Sequence, residues 1–215
     1  MMGIFYFPCN FVYWRKLEKH KIYKNIITNF VYKNIQRFTD HKVLSNGLTT
    51  ILSRELNNQF KLDNKELFND VVWNTLDDVV TILNTRENTL KLPITKSVIH
   101  GLWISVYDTN ATVSSHEHIS NDVLIQDGVK YKTSFTLVYV VKDPNEKNTT
   151  VFTEPYILAK SAYGMRETDL DTSLVDDIGE GTVMIFPSSL HHRVDLMKKP
   201  GRIIMSVSIG SNNLI

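Results

Sequence analysis

One cysteine, Cys9, stands among 215 residues. No disulfide can form within these residues and a cysteine-rich metal site is excluded, which fits a reducing compartment. Net charge is nearly absent as well: 24 Lys and Arg against 23 Asp and Glu leave a formal +1. Such a chain has little bulk attraction for nucleic acid or for an anionic membrane surface. A long apolar run is also missing. The opening MMGIFYFPCNFVYW is apolar, but Pro8 and Asn10 break it, and it has neither a basic n-region nor a small-residue cleavage site. It reads as an edge strand or packing arm, and the protein as cytoplasmic. What is present, 42% hydrophobic and 22% charged residues, suits a single domain over 1–215 with one sizeable core.

Charge is uneven along the chain. Arg15, Lys16, Lys19, Lys21, Lys24, Lys33 and Arg37 crowd an N-terminal segment, and Asp169, Asp171, Asp176, Asp177 and Glu180 crowd a late one. The basic crowd reads as the solvated face of a helix. Residues 15–38 carry Ile22, Ile26, Ile27, Phe30, Val31, Ile35 and Phe38 at three- and four-residue spacing, a helical stripe. A second helix is expected to begin at Asp63, where DNKE resembles a capping box. Leu67, Val71, Val72, Leu76, Val79, Val80 and Leu83 mark its apolar face.

The texture changes near residue 97. SVIHGLWISVYD, TSFTLVYVV, TTVFTEPYIL, GTVMIFP and RIIMSVSIG are rich in Val, Ile, Thr, Tyr and Phe, and turn-prone stretches such as DPNEKN and KKPG separate them. The spacing predicts an antiparallel sandwich or barrel over 97–215, with 1–96 as a helical support packed on one side. The fold class is therefore mostly β with N-terminal helices, α+β.

Four of the seven histidines fall in two pairs. In SSHEH, His116 and His118 are two apart, so in an extended strand both imidazoles share a face. In LHH, His191 and His192 are adjacent and point to opposite sides, so one of them can join the first pair. Three neutral imidazoles from two strands suit Fe, Zn, Mn or Cu, and a nearby carboxylate would favour Fe(II). Arg202, ten residues past His192 and inside an apolar run, adds a second demand. A guanidinium buried in a β-core needs a partner, and RIIMSVS supplies no carboxylate. An anionic ligand held by a bidentate fork would meet that need.

His192 at the end of one strand and Arg202 in the next resemble the Fe(II)- and 2-oxoglutarate-dependent oxygenases. That superfamily is built on a double-stranded β-helix, also described as jelly roll or cupin-like. The resemblance runs through Trp103 and Tyr107, His116-x-His118, SFTLVYVVKDP, G-x-V-x-I-F-P-S-x-x-x-H and R-I-x-x-S, about half the chain. It is similar to the oxygenases common in marine bacteria and their phages, and to prolyl 4-hydroxylases through Thr136, Leu137, Tyr139, Thr150 and Phe152. The resemblance implies Fe(II) held by His116, His118 and His192. It also implies 2-oxoglutarate as co-substrate, with its far carboxylate on Arg202 and with Tyr107 and Ser206 as further contacts. O2 would be consumed, succinate and CO2 released, and an unidentified small-molecule or peptidyl substrate hydroxylated. His118 departs from the superfamily's usual Asp or Glu. Asp122 and Glu117 are the available carboxylates, and Glu117 should face away.

The lids implied are 119–132 and 159–180, with Gly128 and Gly164 as hinges; Tyr131, Tyr139, Tyr156, Tyr163 and Arg166 are candidates for a substrate channel. Two other readings stay open. A cupin-type metalloprotein would use His116, His118, Asp122 and His192, with no need of Arg202. A non-enzymatic β-sandwich module would need neither metal nor pocket.

Overall fold

The computed structural model describes residues 2–7, 10–41, 44–85, 94, 96–119, 123–144, 150–153, 170–172 and 175–212. Two strands open the chain, β1 (Met2–Phe7) and β2 (Asn10–Lys16), paired antiparallel. The first helix, α1 (His20–Asn34), starts later than its apolar pattern suggested, because Arg15 and Lys16 finish β2, whose Lys16 pairs with Thr182. Tyr23, Ile27 and Val31 form its buried stripe. Two strands follow that the sequence did not announce, β3 (Thr39–His41) and β4 (Leu44–Thr49); β3 is polar throughout, and β4 has Leu44 and Leu48 but no clean alternation.

The second helical region also begins earlier than expected. Helix α2 (Arg54–Asp63) ends where the capping box was placed, and no side-chain cap forms at Asn64. Instead the Asn64 side-chain amide donates to the Phe60 carbonyl at 2.8 Å, satisfying an orphan acceptor at a helix C-terminus. Helix α3 (Lys65–Phe68) then passes through a wider π turn at Asn69–Asn74 into α4 (Thr75–Thr85). The extra residue of that turn keeps Leu67, Val71, Val72, Leu76, Val79 and Leu83 on one buried side despite uneven spacing.

The remaining strands are β5 (Ser97–His116), β6 (Val123–Gln126), β7 (Val129–Lys142), β8 (Thr150–Phe152), β9 (Leu170–Asp171), β10 (Thr182–Pro187), β11 (His192–Val194) and β12 (Arg202–Ser211). Their order is β1-β2-β10-β7-β12-β5-β11-β8-β9, with β4 also on β5, β3 on β4 and β6 on β7. Every pairing is antiparallel. The 20-residue β5 serves both parts of this sheet: Ser97–Tyr107 pairs with β12, while Val113 and His116 pair with β11. Asn110, at φ 62°, marks the bend between them. The sheet thereby folds over itself.

Strand periodicity sorts two cores. Leu137, Tyr139 and Val141 of β7, with Ile203, Met205, Val207 and Ile209 of β12, join Tyr23, Ile27, Val71 and Val79 of the helices. The alternate residues Val138, Val140 and Ile204 turn inward to Phe152, Phe186 and Val194, between the folded halves of the sheet. The N-terminal part is therefore not a purely helical support: β2 sits between β1 and β10, and β4 lies along β5. No helix among the described residues is long and apolar enough to cross a membrane.

Candidate active site

β5 ends at His116, yet the backbone stays anchored beyond it: the His118 N–H donates to the Ser188 carbonyl at 2.9 Å. Ser188 lies in the turn after β10, closed by the Leu190 N–H on the Pro187 carbonyl at 2.9 Å. The chain then re-enters the sheet as β11, where His192 pairs across from His116 on one side and Phe152 on the other. His192 thus opens a separate short strand rather than ending the preceding one. This geometry brings the three predicted ligands together: one nitrogen from each of His116, His118 and His192 lies within 4.8 Å of the others.

The His118 and His192 Nε2 atoms are 3.3 Å apart, a separation that two ligands of one metal at about 2.0–2.1 Å can adopt. Outer contacts fix which nitrogens are offered. His116 Nδ1 is 2.8 Å from the Ser114 carbonyl and His192 Nδ1 is 3.1 Å from the Leu190 carbonyl, so each Nδ1 donates and each Nε2 keeps its lone pair. Trp103 packs on the His118 ring at 5.3 Å, and Phe186 meets the His192 ring edge-on at 4.9 Å. Burial pushes all three imidazoles toward the neutral form, His118 down to about 3 and His192 well below its usual value, with the neighbouring histidines adding to the shift. Neutral, pre-oriented imidazoles are the donor set that Fe(II), Zn(II) or Mn(II) requires.

His191 turns outward, half exposed, with Nε2 3.3 Å from Glu117 Oε2. Glu117 reaches the rim of the cavity and is tied to His191 instead of joining the ligands. Asp122 lies outside the described residues. A fourth histidine that the sequence pattern did not single out, His41 of β3, lines the same cavity. No spacing rule links it to the others, since only the β3–β4 and β4–β5 pairings bring it there.

The cavity has a volume of about 280 Å³. The three histidines and Trp103 line it together with Tyr107, Arg202 and Ser206, the expected co-substrate contacts. Arg202 opens β12, rather than sitting mid-strand, and pairs across from Tyr107 of β5. Its guanidinium carbon lies 5.5 Å from the Tyr107 ring centre. Burial raises the Tyr107 phenol pKa, with Arg202 opposing in part, so the hydroxyl stays protonated. An anionic ligand is the partner expected for Arg202 from the sequence, and the structure adds a partner within the protein: Asp143, just past the end of β7, places Oδ2 3.6 Å from Arg202 Nε. That carboxylate comes from a different strand, which is why RIIMSVS gave no hint of it.

Among the channel candidates, Tyr139 points to the helical side, where its hydroxyl meets His20 Nδ1 at 2.7 Å, and Tyr131 is buried. Tyr156, Tyr163, Gly164 and Arg166 lie outside the described residues. Gly128 lies in a hairpin: with Asp127 at φ 51° and Gly128 at φ 74°, it forms the tight turn between β6 and β7.

No protein-family model and no curated sequence matches the chain. Solved structures do. HygX from Streptomyces hygroscopicus, with nickel, 2-oxoglutarate and hygromycin B bound, superposes with a TM-score of 0.52 at 9% identity, covering 97% of this chain and 84% of that one. AviO1 from Streptomyces viridochromogenes Tue57 gives 0.54 at 10% identity, covering 94% and 90%. The non-heme alpha ketoglutarate dependent epimerase SnoN from nogalamycin biosynthesis gives 0.57 at 7% identity, covering 92% and 76%. At such identities the likeness concerns the backbone: the chain has the double-stranded β-helix fold of these proteins.

Proposed function

We propose that the protein is an Fe(II)- and 2-oxoglutarate-dependent dioxygenase that hydroxylates a substrate and releases succinate and CO2. The observation that carries this reading is a shared cavity: three neutral, convergent imidazoles and a fully buried arginine line the same space. Metal binding alone would engage only the histidines, whereas a dicarboxylate that chelates a metal and reaches a cation would engage both features of the wall. The fold shared with HygX, solved with nickel and 2-oxoglutarate, is compatible with that assignment.

His116, His118 and His192 would hold the iron, and their Nδ1–carbonyl contacts keep two of the rings from rotating. Arg202 would pair with the distal carboxylate, and Ser206, on the same strand face, adds a hydroxyl. Trp103, Leu44, Ile51, Val113 and Val194 line the remaining wall with apolar surface that excludes water. Together, bound iron and 2-oxoglutarate supply oxidative decarboxylation, which couples O2 reduction to oxidation of the substrate. The chain's contribution is placement of ligands, retention of a neutral imidazole set and restriction of solvent. Three neutral imidazoles, with no carboxylate among them, would offset less of a bound metal's positive charge than a two-histidine, one-carboxylate set.

The test is an anaerobic calorimetric titration of 2-oxoglutarate with and without Fe(II) or Mn(II). Metal-dependent binding, accompanied with Fe(II) by a weak visible charge-transfer band, is expected. Metal uptake with no response to 2-oxoglutarate would overturn the co-substrate and favour the cupin-type alternative. Absence of metal uptake would overturn the metal centre itself.

A further inference from the structure

A cation that receives an anion at a fixed place must itself be fixed, and Arg202 is held from behind. Its side chain is 0% exposed and that of Asp143 2%, with Nε and Oδ2 3.6 Å apart. On another edge, Arg202 Nη1 lies 3.7 Å from Met197 Sδ. Arg202 belongs to the cavity wall, whereas Asp143 is not among the lining residues. The carboxylate therefore sits behind the guanidinium and does not compete for the space an incoming ligand would fill.

Asp143 has its own support. Its backbone N–H donates to Glu180 Oε2 at 2.9 Å. Glu180 Oε1 in turn takes an ion pair from Lys24 and lies 3.3 Å from His20 Nε2, both residues of α1. Lys16 of β2 donates to the Glu180 carbonyl at 2.8 Å. Polar contacts thus run from α1 through Glu180 to the Asp143 backbone, and the Asp143 carboxylate forms an ion pair, longer than a hydrogen bond, with the guanidinium facing the cavity.

We propose that Asp143 is a positioning residue for Arg202, and that Glu180 braces it, so that the N-terminal helix sets the geometry of the anion subsite. The anion's identity as 2-oxoglutarate rests on the function proposed above; the positioning does not. Two effects of Asp143 oppose each other. Its charge offsets that of Arg202 and weakens the pull on an anion, while its contact restricts the guanidinium to one orientation. In a fully buried site the second prevails, because an arginine stripped of its partner turns toward any other acceptor or draws in water.

The experiment reads the arginine first and the co-substrate second. In the full-length protein without co-substrate, the Arg202 Nε–H is followed by NMR and assigned by its disappearance in Arg202→Lys. It should exchange with solvent at least about tenfold more slowly than the Nε–H of exposed arginines, and Asp143→Asn should abolish that protection. The Kd for 2-oxoglutarate in Mn(II)-loaded Asp143→Asn should then rise about tenfold, with metal affinity unchanged, the size typical of losing an outer partner of a binding group. Glu180→Gln, which retains the Asp143 carboxylate but loosens its brace, should give a rise of about threefold and serves if Asp143→Asn does not fold. An Nε–H equally protected in wild type and in both variants overturns the proposal. Protection lost in Asp143→Asn while wild type binds no 2-oxoglutarate supports the positioning and overturns the co-substrate reading instead. An unchanged or tighter Kd in Asp143→Asn shows that charge compensation prevails and overturns the proposal.

Discussion

His191 and His192 are neighbours in sequence and opposites in chemistry. One is half exposed beside Glu117, while the other is 4% exposed between Phe152, Phe186 and the paired His116. His192→Ala is expected to abolish metal uptake, whereas His191→Ala should retain it within about threefold, as for a surface substitution. Metal content after loading and desalting reads the difference, and the reverse pattern would exchange their roles. Arg202→Ala should weaken 2-oxoglutarate binding about a hundredfold while metal uptake persists, because a charge-assisted bond of about 1.5–3 kcal/mol is lost. Equal co-substrate affinity in wild type and variant would remove Arg202 from the site. Much of this was legible from parity alone. His116 and His118 share a side because they are two apart, and Arg202 stands out in a run of Ile, Met and Val only because it is charged. Asp143 and His41 were not legible, since strand pairing over long separations brings each to its place.

At the scale of elements, the π turn at Asn69–Asn74 has a polar anchor that joins it to the sheet. Arg15 of β2 pairs with Asp70 at 3.1 Å and donates to Thr75 at 2.9 Å, and the Tyr23 hydroxyl of α1 donates to Asp70 at 3.0 Å. Burial alone would raise the Asp70 carboxyl, but hydrogen bonds from Arg15 and Tyr23 outweigh it and hold the pKa below the usual value. A carboxyl lowered on folding binds fewer protons in the native state than in the unfolded one. Its stabilisation is therefore present above about pH 4 and is lost as pH falls further. Asp70→Asn should lower stability at pH 7 and flatten the acid limb of a denaturation series between about pH 4 and 2. An acid limb identical to wild type would show that Asp70 contributes nothing there. The sequence displayed the helical stripe from Leu67 to Leu83 but not the π turn or the early start at Arg54. Apolar spacing reports which side is buried, whereas helix ends depend on partners such as Phe60 and Thr50 that lie off that stripe. β3 and β4 escaped for a related reason: Thr39–His41 is polar and Ser45–Gly47 carries no apolar side chain, and the pairing of β3 to β4 and of β4 to β5, not apolar alternation, makes them strands.

For the whole molecule, the support and the core form a shared interior. Phe11, Tyr13 and Leu17 of the N-terminal part pack in the same cluster as Leu137, Tyr139 and Ile185. We therefore propose one folding unit over 1–215 and expect a chain beginning at Ser97 to lack native structure, because β10 loses β2 and one sheet face loses its helices. A cooperative unfolding transition in that fragment would refute it. Metal should couple to the entire unit. Mn(II) at a hundredfold excess over its Kd stabilises by about 2.7 kcal/mol, equivalent to a rise of about 5–10 °C in Tm for a chain of this size. No change in Tm at saturating metal would mean that the three histidines do not bind it in the folded state.

β12, the last described strand, lies between β7 and β5, with Arg202 across from Tyr107 and Ser211 across from Ser97. About a hundred residues separate those partners, so closing the sheet spends a large loop entropy before any contact returns it. During synthesis His116 and His118 emerge well before His192, and Arg202 later still. An early nascent chain can offer a passing metal ion two of its imidazoles without the third, and that weaker embrace becomes a site only when the final strand slides into its slot.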